Sequence, residues 1–188
     1  MNFSKRETTP STGWLPSARP LPSPNWDERP PGTEVDLLVI HAISLPANSF
    51  GGPWIEHFFL NRLPGLRHPY FDQICGLRVS SHLLIRRDGE LLQFVALDKR
   101  AWHAGRSSFH GREACNDFSI GIELEGADHI PYTLQQYQRL GTVSREIMER
   151  FPAIRQENIV GHCDIAPGRK TDPGPAFDWS RYHALLED

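Results

Sequence analysis

Between Gly161 and Trp179 the chain reads Gly-His-Cys-Asp-Ile-Ala-Pro-Gly-Arg-Lys-Thr-Asp-Pro-Gly-Pro-Ala-Phe-Asp-Trp, which gathers His162, Lys170 and two aspartates, Asp164 and Asp172, in one short stretch. Pro167, Pro173 and Pro175 fix φ and restrict the residues before them, so this composition predicts stiff turns and excludes a helix. A second histidine, His41, ends the run Val35-Asp36-Leu37-Leu38-Val39-Ile40. None of the nine histidines stands four residues from another, so a metal site must be assembled from separate segments. The economical set is His41, His162 and one aspartate, and spacing alone does not choose between Asp164 and Asp172. Two neutral imidazoles and one carboxylate, with a further position left for water, form the donor set of catalytic zinc. Zinc held so lowers the pKa of a water to about 7, which supplies a nucleophile for a carbonyl. Cys163 is a poor co-ligand, because neighbours in an extended chain point to opposite faces. Glu123 and Lys170 are of the types required for a general base and an oxyanion stabiliser.

Several elements must position these groups. The aliphatic run before His41 predicts a central strand buried on both faces, its carboxyl end being where open α/β sheets place their ligands. Trp54 to Leu60 predicts a short helix started near Pro53, and His68-Pro69-Tyr70-Phe71 a loop lining a cleft. Val79–Ile85 and Glu90–Val95 flank Arg87-Asp88-Gly89, a hairpin signal that makes the sheet mixed. Phe118 to Glu125 alternates, with Ile120, Ile122 and Leu124 on one face and Gly121, Glu123 and Glu125 on the other; a glycine beside Glu123 marks a strand that another group approaches closely. Ala101-Trp102-His103-Ala104-Gly105 is a further dense spot. Thr133-Leu134-Gln135-Gln136 has capping-box form, and Leu134, Tyr137, Leu140, Val143, Ile147 and Phe151 recur at helical spacing. Ile159 to His162 reads as a last strand, and Asp178 as the cap of a final helix.

Composition bounds the rest. The 188 residues fit one domain, with 39% apolar and 23% charged residues and a net charge of -3 that leaves no basic footprint for nucleic acid. The apolar run Leu37 to Leu45 is far shorter than the roughly 20 residues of a spanning helix. Seven of the sixteen prolines fall in residues 1–34, which predicts an extended surface arm anchored by Trp14, Leu15 and Trp26, with the first ten residues disordered. No apolar core follows the charged N-terminus, so a secretory signal is not expected and the cytoplasm is. Three cysteines without C-x-x-C spacing predict no disulfide framework and three small buried hydrophobes.

Seven ordered motifs now carry a resemblance: Ile-His-Ala-Ile-Ser (40–44), Gly-Gly-Pro-Trp-Ile (51–55), His-Pro-Tyr-Phe (68–71), the stretch from Val79 to Glu90, Lys-Arg-Ala-Trp-His-Ala-Gly (99–105), the stretch from Asn116 to Gly126, and Gly161 to Pro175. Together these resemble the zinc-dependent N-acetylmuramoyl-L-alanine amidases, in particular their cytosolic branch of cell-wall recycling. The resemblance covers nearly everything after the arm and implies a single α/β domain (35–188) with a central mixed β-sheet flanked by helices, of the amidase and peptidoglycan-recognition-protein type. It further implies one zinc ion on His41, His162 and Asp172, Glu123 as the base or water-orienting carboxylate, Lys170 at the oxyanion, and Tyr70, Arg78 and Trp102 along the substrate groove. The substrate implied is an anhydro-muramyl peptide, cut between the lactyl group and L-alanine. Loss of such an activity lets a muropeptide inducer of β-lactamase accumulate. A monomer without nucleic-acid or membrane partners is expected, and a muropeptide-binding module that does not cut is the competing reading. Ala42 departs from relatives that carry Asn after the first ligand.

Overall fold

The computed structural model describes residues 13–187. Its sheet has the order β1 (Arg19–Pro20), β5 (Leu91–Gln93), β4 (Leu83–Ile85), β9 (Ser119–Glu125), β3 (Leu37–Ile43), β10 (Ile159–Gly161). Only β4 and β5 pair antiparallel, as the Asp88-Gly89 turn demands, and the other neighbours are parallel. Two small antiparallel pairs stand apart: β2 (Trp26–Asp27) with β6 (Arg100–Ala101), and β7 (Ser108–Phe109) with β8 (Arg112–Glu113). Parallel strands must be covered on both faces, which explains why Leu37 to Ile40 and Ile120 to Ile122 are fully buried.

One face packs on α3 (Leu134–Arg150) and α5 (Trp179–Ala184). Leu38, Ile40, Ile120, Ile122 and Leu124 meet Tyr137, Leu140, Val143, Ile147 and Tyr182 there, each buried aliphatic side chain contributing about 1.5–3 kcal/mol. The α3 capping box forms as expected: Thr133 Oγ1 accepts from Gln136 N, and Gln136 Oε1 from Thr133 N, both at 3.1 Å. Leu134 shares the helical spacing but is exposed, since it stands in the first turn before the helix reaches the sheet. Asp178 Oδ1 caps α5 by accepting from Arg181 N.

The other face carries α1 (Trp54–Phe59), α2 (Pro69–Ile74) and α4 (His162–Ile165). Helix α2 corrects the expected loop at His68 to Phe71. Pro69 fits the first helical position, where its missing N–H is no loss, and His68 Nδ1 accepts from Tyr70 N. Helix α4 likewise occupies part of the proline-rich stretch, completing its single turn before Pro167.

The described part of the arm is built into the fold. β1 extends the sheet edge and Leu15 is buried, whereas Trp26 stays 40% exposed and anchors little. The anchor is Arg29, whose guanidinium donates to the carbonyls of Asn116, Asp117, Leu97 and Ser119 at 2.8–3.2 Å. The expected disorder of the first ten residues lies outside the described residues. Of the cysteines, all free, Cys115 is buried while Cys75, in the turn after α2, and Cys163, on α4, are half-buried. Among the described residues no helix is long and apolar enough to cross a membrane.

Candidate active site

His41 and Glu123 are direct neighbours across β3 and β9, in the same register pair, so their side chains leave the same face of the sheet. Both lie toward the carboxyl ends of parallel strands, with His162 immediately after β10. The Gly161 to Trp179 segment then turns back: Cys163 N donates to Asp172 O at 3.0 Å, and Lys170 N to Ala166 O at 3.1 Å. This fold-back brings Asp172 over the two imidazoles. Asp164 goes elsewhere, since its Oδ2 accepts from Gly161 N at 2.7 Å and caps the start of α4. Cys163 also lies outside the cluster, on a helical turn and not on the extended chain expected.

His41 Nδ1, His162 Nδ1 and Asp172 Oδ2 form a triangle. Its sides are 2.9 Å between the nitrogens, 3.2 Å from His41 to Asp172 and 3.1 Å from His162 to Asp172. Donors 2.0–2.2 Å from a tetrahedral zinc stand about 3.3 Å apart, so this set fits zinc with little adjustment. His162 Nε2 lies 3.1 Å from the Ala104 carbonyl, which can only accept; the proton is therefore on Nε2 and the Nδ1 lone pair faces Asp172. Burial pulls His41 down to about 4, which keeps it neutral. A neutral His41 imidazole beside a carboxylate suits a metal site, which binds deprotonated donors.

Glu123 is 9% exposed, and its Oε2 has no hydrogen-bond partner among the described residues. Burial, and then the Asp172 charge, push its carboxyl well above the usual range. A buried acceptor left without a partner is costly, and such groups gather where substrate or water will complete them. The cleft above has a volume of about 680 Å³, within the usual range for ligand sites. Its floor is His41, Glu123, His162 and Asp172, with Lys170 at the rim. Tyr70 lines it from α2, 36% exposed, and Trp102 lines it while its indole N–H donates to Asp27 Oδ1 at 3.1 Å. Arg78 is not among the lining residues. It is exposed, and its guanidinium turns to the carbonyls of Gly76 and Leu77, because the turn after α2 offers acceptors nearer than the cleft. Ala42 lines the cleft without a polar group.

The sequence reading assigned no role to His103, whose Nδ1 is 2.9 Å from His41 Nε2. Its one signal was Gly121: a Cβ added there would lie 2.6 Å from that nitrogen. A close approach at Gly121 and a dense spot at Trp102-His103 were both visible, but nothing in the sequence joins them.

Comparison with known proteins agrees with this geometry. The pattern of the N-acetylmuramoyl-L-alanine amidase family (Amidase_2) matches residues 31–175. The 1,6-anhydro-N-acetylmuramyl-L-alanine amidase AmpD of Salmonella typhimurium (strain SL1344) is 58% identical over 177 residues, covering 94% of this chain and 94% of that protein. AmpD of Escherichia coli (strain K12) is 58% identical over 174 residues, covering 93% and 94%. A crystal structure of a selenomethionine AmpD derivative superposes with a TM-score of 0.91 at 58% identity, covering 93% of this chain and 97% of that one. AmpDh3 from Pseudomonas aeruginosa, solved in complex with anhydromuramic pentapeptide, gives a TM-score of 0.62 at 28% identity, covering 83% of this chain and 61% of that one. The chain belongs to the N-acetylmuramoyl-L-alanine amidase family.

Proposed function

We propose that this chain hydrolyses the amide bond between the lactyl group of 1,6-anhydro-N-acetylmuramic acid and L-alanine of the stem peptide. The observation that carries this reading is 58% identity, over 94% of both chains, to a protein named for that activity. His41, His162 and Asp172 would hold one zinc ion. Bound there, zinc supplies Lewis acidity toward the scissile carbonyl and acidifies a water. Glu123, unpartnered and level with His41 on the sheet, takes the proton of the attacking water. As the water oxygen bonds to the carbonyl carbon, the carbonyl oxygen gains negative charge, which the Lys170 ammonium at the rim offsets. Collapse breaks the C–N bond, and Glu123 returns its proton to the leaving alanine nitrogen. Tyr70 and Trp102 offer apolar walls to the sugar and peptide. Acting as a monomer in the cytoplasm on recycled wall fragments, the enzyme would limit the muropeptide that induces β-lactamase.

The test is mass-spectrometric detection of peptide release from anhydro-muramyl tripeptide. Release is expected to stop with a chelator and to return when zinc is added. Substrate that binds but stays intact with zinc present would leave only a muropeptide-binding module. Lys170→Ala is expected to lower kcat by about 10–100-fold with KM changed about twofold or less, because the lysine meets charge that develops only during reaction. A rise in KM at unchanged kcat would move Lys170 from the oxyanion to ground-state binding.

A further inference from the structure

We propose that His103 is a positioning residue, which fixes the ring nitrogen that His41 turns toward the metal site through a hydrogen-bond chain running His41, His103, Ser119, Cys115 carbonyl. The inference rests on the zinc reading above.

The polarity of this chain is set at its far end. The Cys115 carbonyl oxygen can only accept, and Ser119 Oγ lies 2.5 Å from it, so the one hydroxyl proton of Ser119 is committed there. Ser119 Oγ must then accept from its other neighbour, His103 Nε2, at 3.1 Å. Among the described residues the His103 ring nitrogens meet only Ser119 Oγ and His41 Nε2, with no carboxylate to hold a second proton on the ring. With its proton on Nε2, His103 Nδ1 carries a lone pair and accepts from His41 Nε2–H at 2.9 Å. The proton of His41 is thereby on Nε2, and its Nδ1 lone pair points at His162 and Asp172. The reverse polarity would require the Ser119 hydroxyl to donate twice.

His162 reaches the same state through the next residue, by donating to Ala104 O. One short segment therefore sets both imidazoles, His103 with its ring and Ala104 with its carbonyl. That segment is itself pinned, since His103 N and Ala104 N both donate to Asn116 Oδ1, at 3.1 and 2.8 Å. Gly121 makes room for the His103 ring, whose Nδ1 a Cβ at position 121 would meet at 2.6 Å. The consequence falls on the triangle. With both Nδ1 atoms unprotonated, three lone-pair atoms converge at 2.9–3.2 Å with no hydrogen among them, an arrangement that a cation relieves.

The test compares wild type with His103→Ala, His103→Asn and Ser119→Ala. One reading is zinc affinity of the metal-free protein, by competition with a chromophoric chelator. The other is long-range ¹H–¹⁵N NMR of the His41 ring without metal, which reports the protonated nitrogen. His103→Ala is expected to weaken zinc by about 10–100-fold and to mix the two His41 tautomers, as loss of a partner behind a metal-binding histidine does. His103→Asn keeps an acceptor near the Nδ1 position and is expected to recover most of the affinity and the single tautomer. Ser119→Ala frees the polarity of His103 and is expected to give a smaller loss in the same direction. Unchanged affinity, or a single unchanged His41 tautomer, in folded His103→Ala overturns the proposal. Where His103→Ala does not fold, the same readings on Ser119→Ala decide it. A wild type that binds no zinc defeats the zinc reading itself, whereas zinc-binding wild type with indifferent variants defeats only the role of His103.

Discussion

Glu123→Gln is expected to keep its zinc and to lose about 10³-fold in kcat/KM, at the middle of the range for a general acid or base. Glutamine has the same shape but cannot take a proton, and Glu123 is not one of the clustered donors. The same variant is expected to be more stable. A carboxyl whose folded pKa is raised costs stability as pH climbs from the unfolded value toward the folded one, and Glu123 is raised by burial and by Asp172. Removing that cost raises stability near neutral pH, the usual exchange of activity for stability at such sites. Zinc content, turnover and thermal midpoint measured on one preparation test all of it. Loss of zinc together with turnover would show that Glu123 holds the metal.

Asp172→Ala is expected to fail in the opposite order, losing the metal first and turnover with it. Asp172 brings the only negative charge to the triangle, and without it two neutral imidazoles face each other at 2.9 Å. Zinc affinity is expected to fall by about 10²–10³-fold, taking one donor's share of the roughly 10–16 kcal/mol of a complete site. Activity should then recover in part at high zinc, which distinguishes this variant from Glu123→Gln. Full zinc occupancy in Asp172→Ala at stoichiometric metal would remove Asp172 from the ligand set. Asp164→Ala is the natural control, because that carboxylate caps α4 instead.

What could be read in advance follows the range of the interactions involved. β3, β9, the β4–β5 turn and α3 announce themselves through local patterns: an unbroken aliphatic run, strict alternation, Asp-Gly, a capping box. The candidate ligands could be narrowed to His41, His162 and one of two aspartates. Choosing between Asp164 and Asp172 needed either a family resemblance or the fold-back that joins Cys163 N to Asp172 O. The features that escaped have partners far away in the chain. Arg29 spends its donors on carbonyls 68 to 90 residues on, and His103 meets His41 62 residues back. β1 and β2 are two residues each, too short to show any period. Helix α2 was missed for another reason: a proline beside two aromatics suggests a loop, although proline is at home in a first helical turn. Arg78 stands beside Leu77 and Val79, which line the cleft, while its guanidinium rests on the carbonyls of the turn after α2.

The pairing of His41 with Glu123 sets apart what can vary in this protein from what cannot. Their spacing is the distance between adjacent hydrogen-bonded strands, near 4.8 Å in any sheet, and no loop contributes to it. Insertions after Ile43 or after Glu125 would lengthen the walls of the cleft and leave that spacing untouched. Changes of substrate size can therefore accumulate at the strand ends, by evolution or by design, while the reacting centre keeps its dimensions.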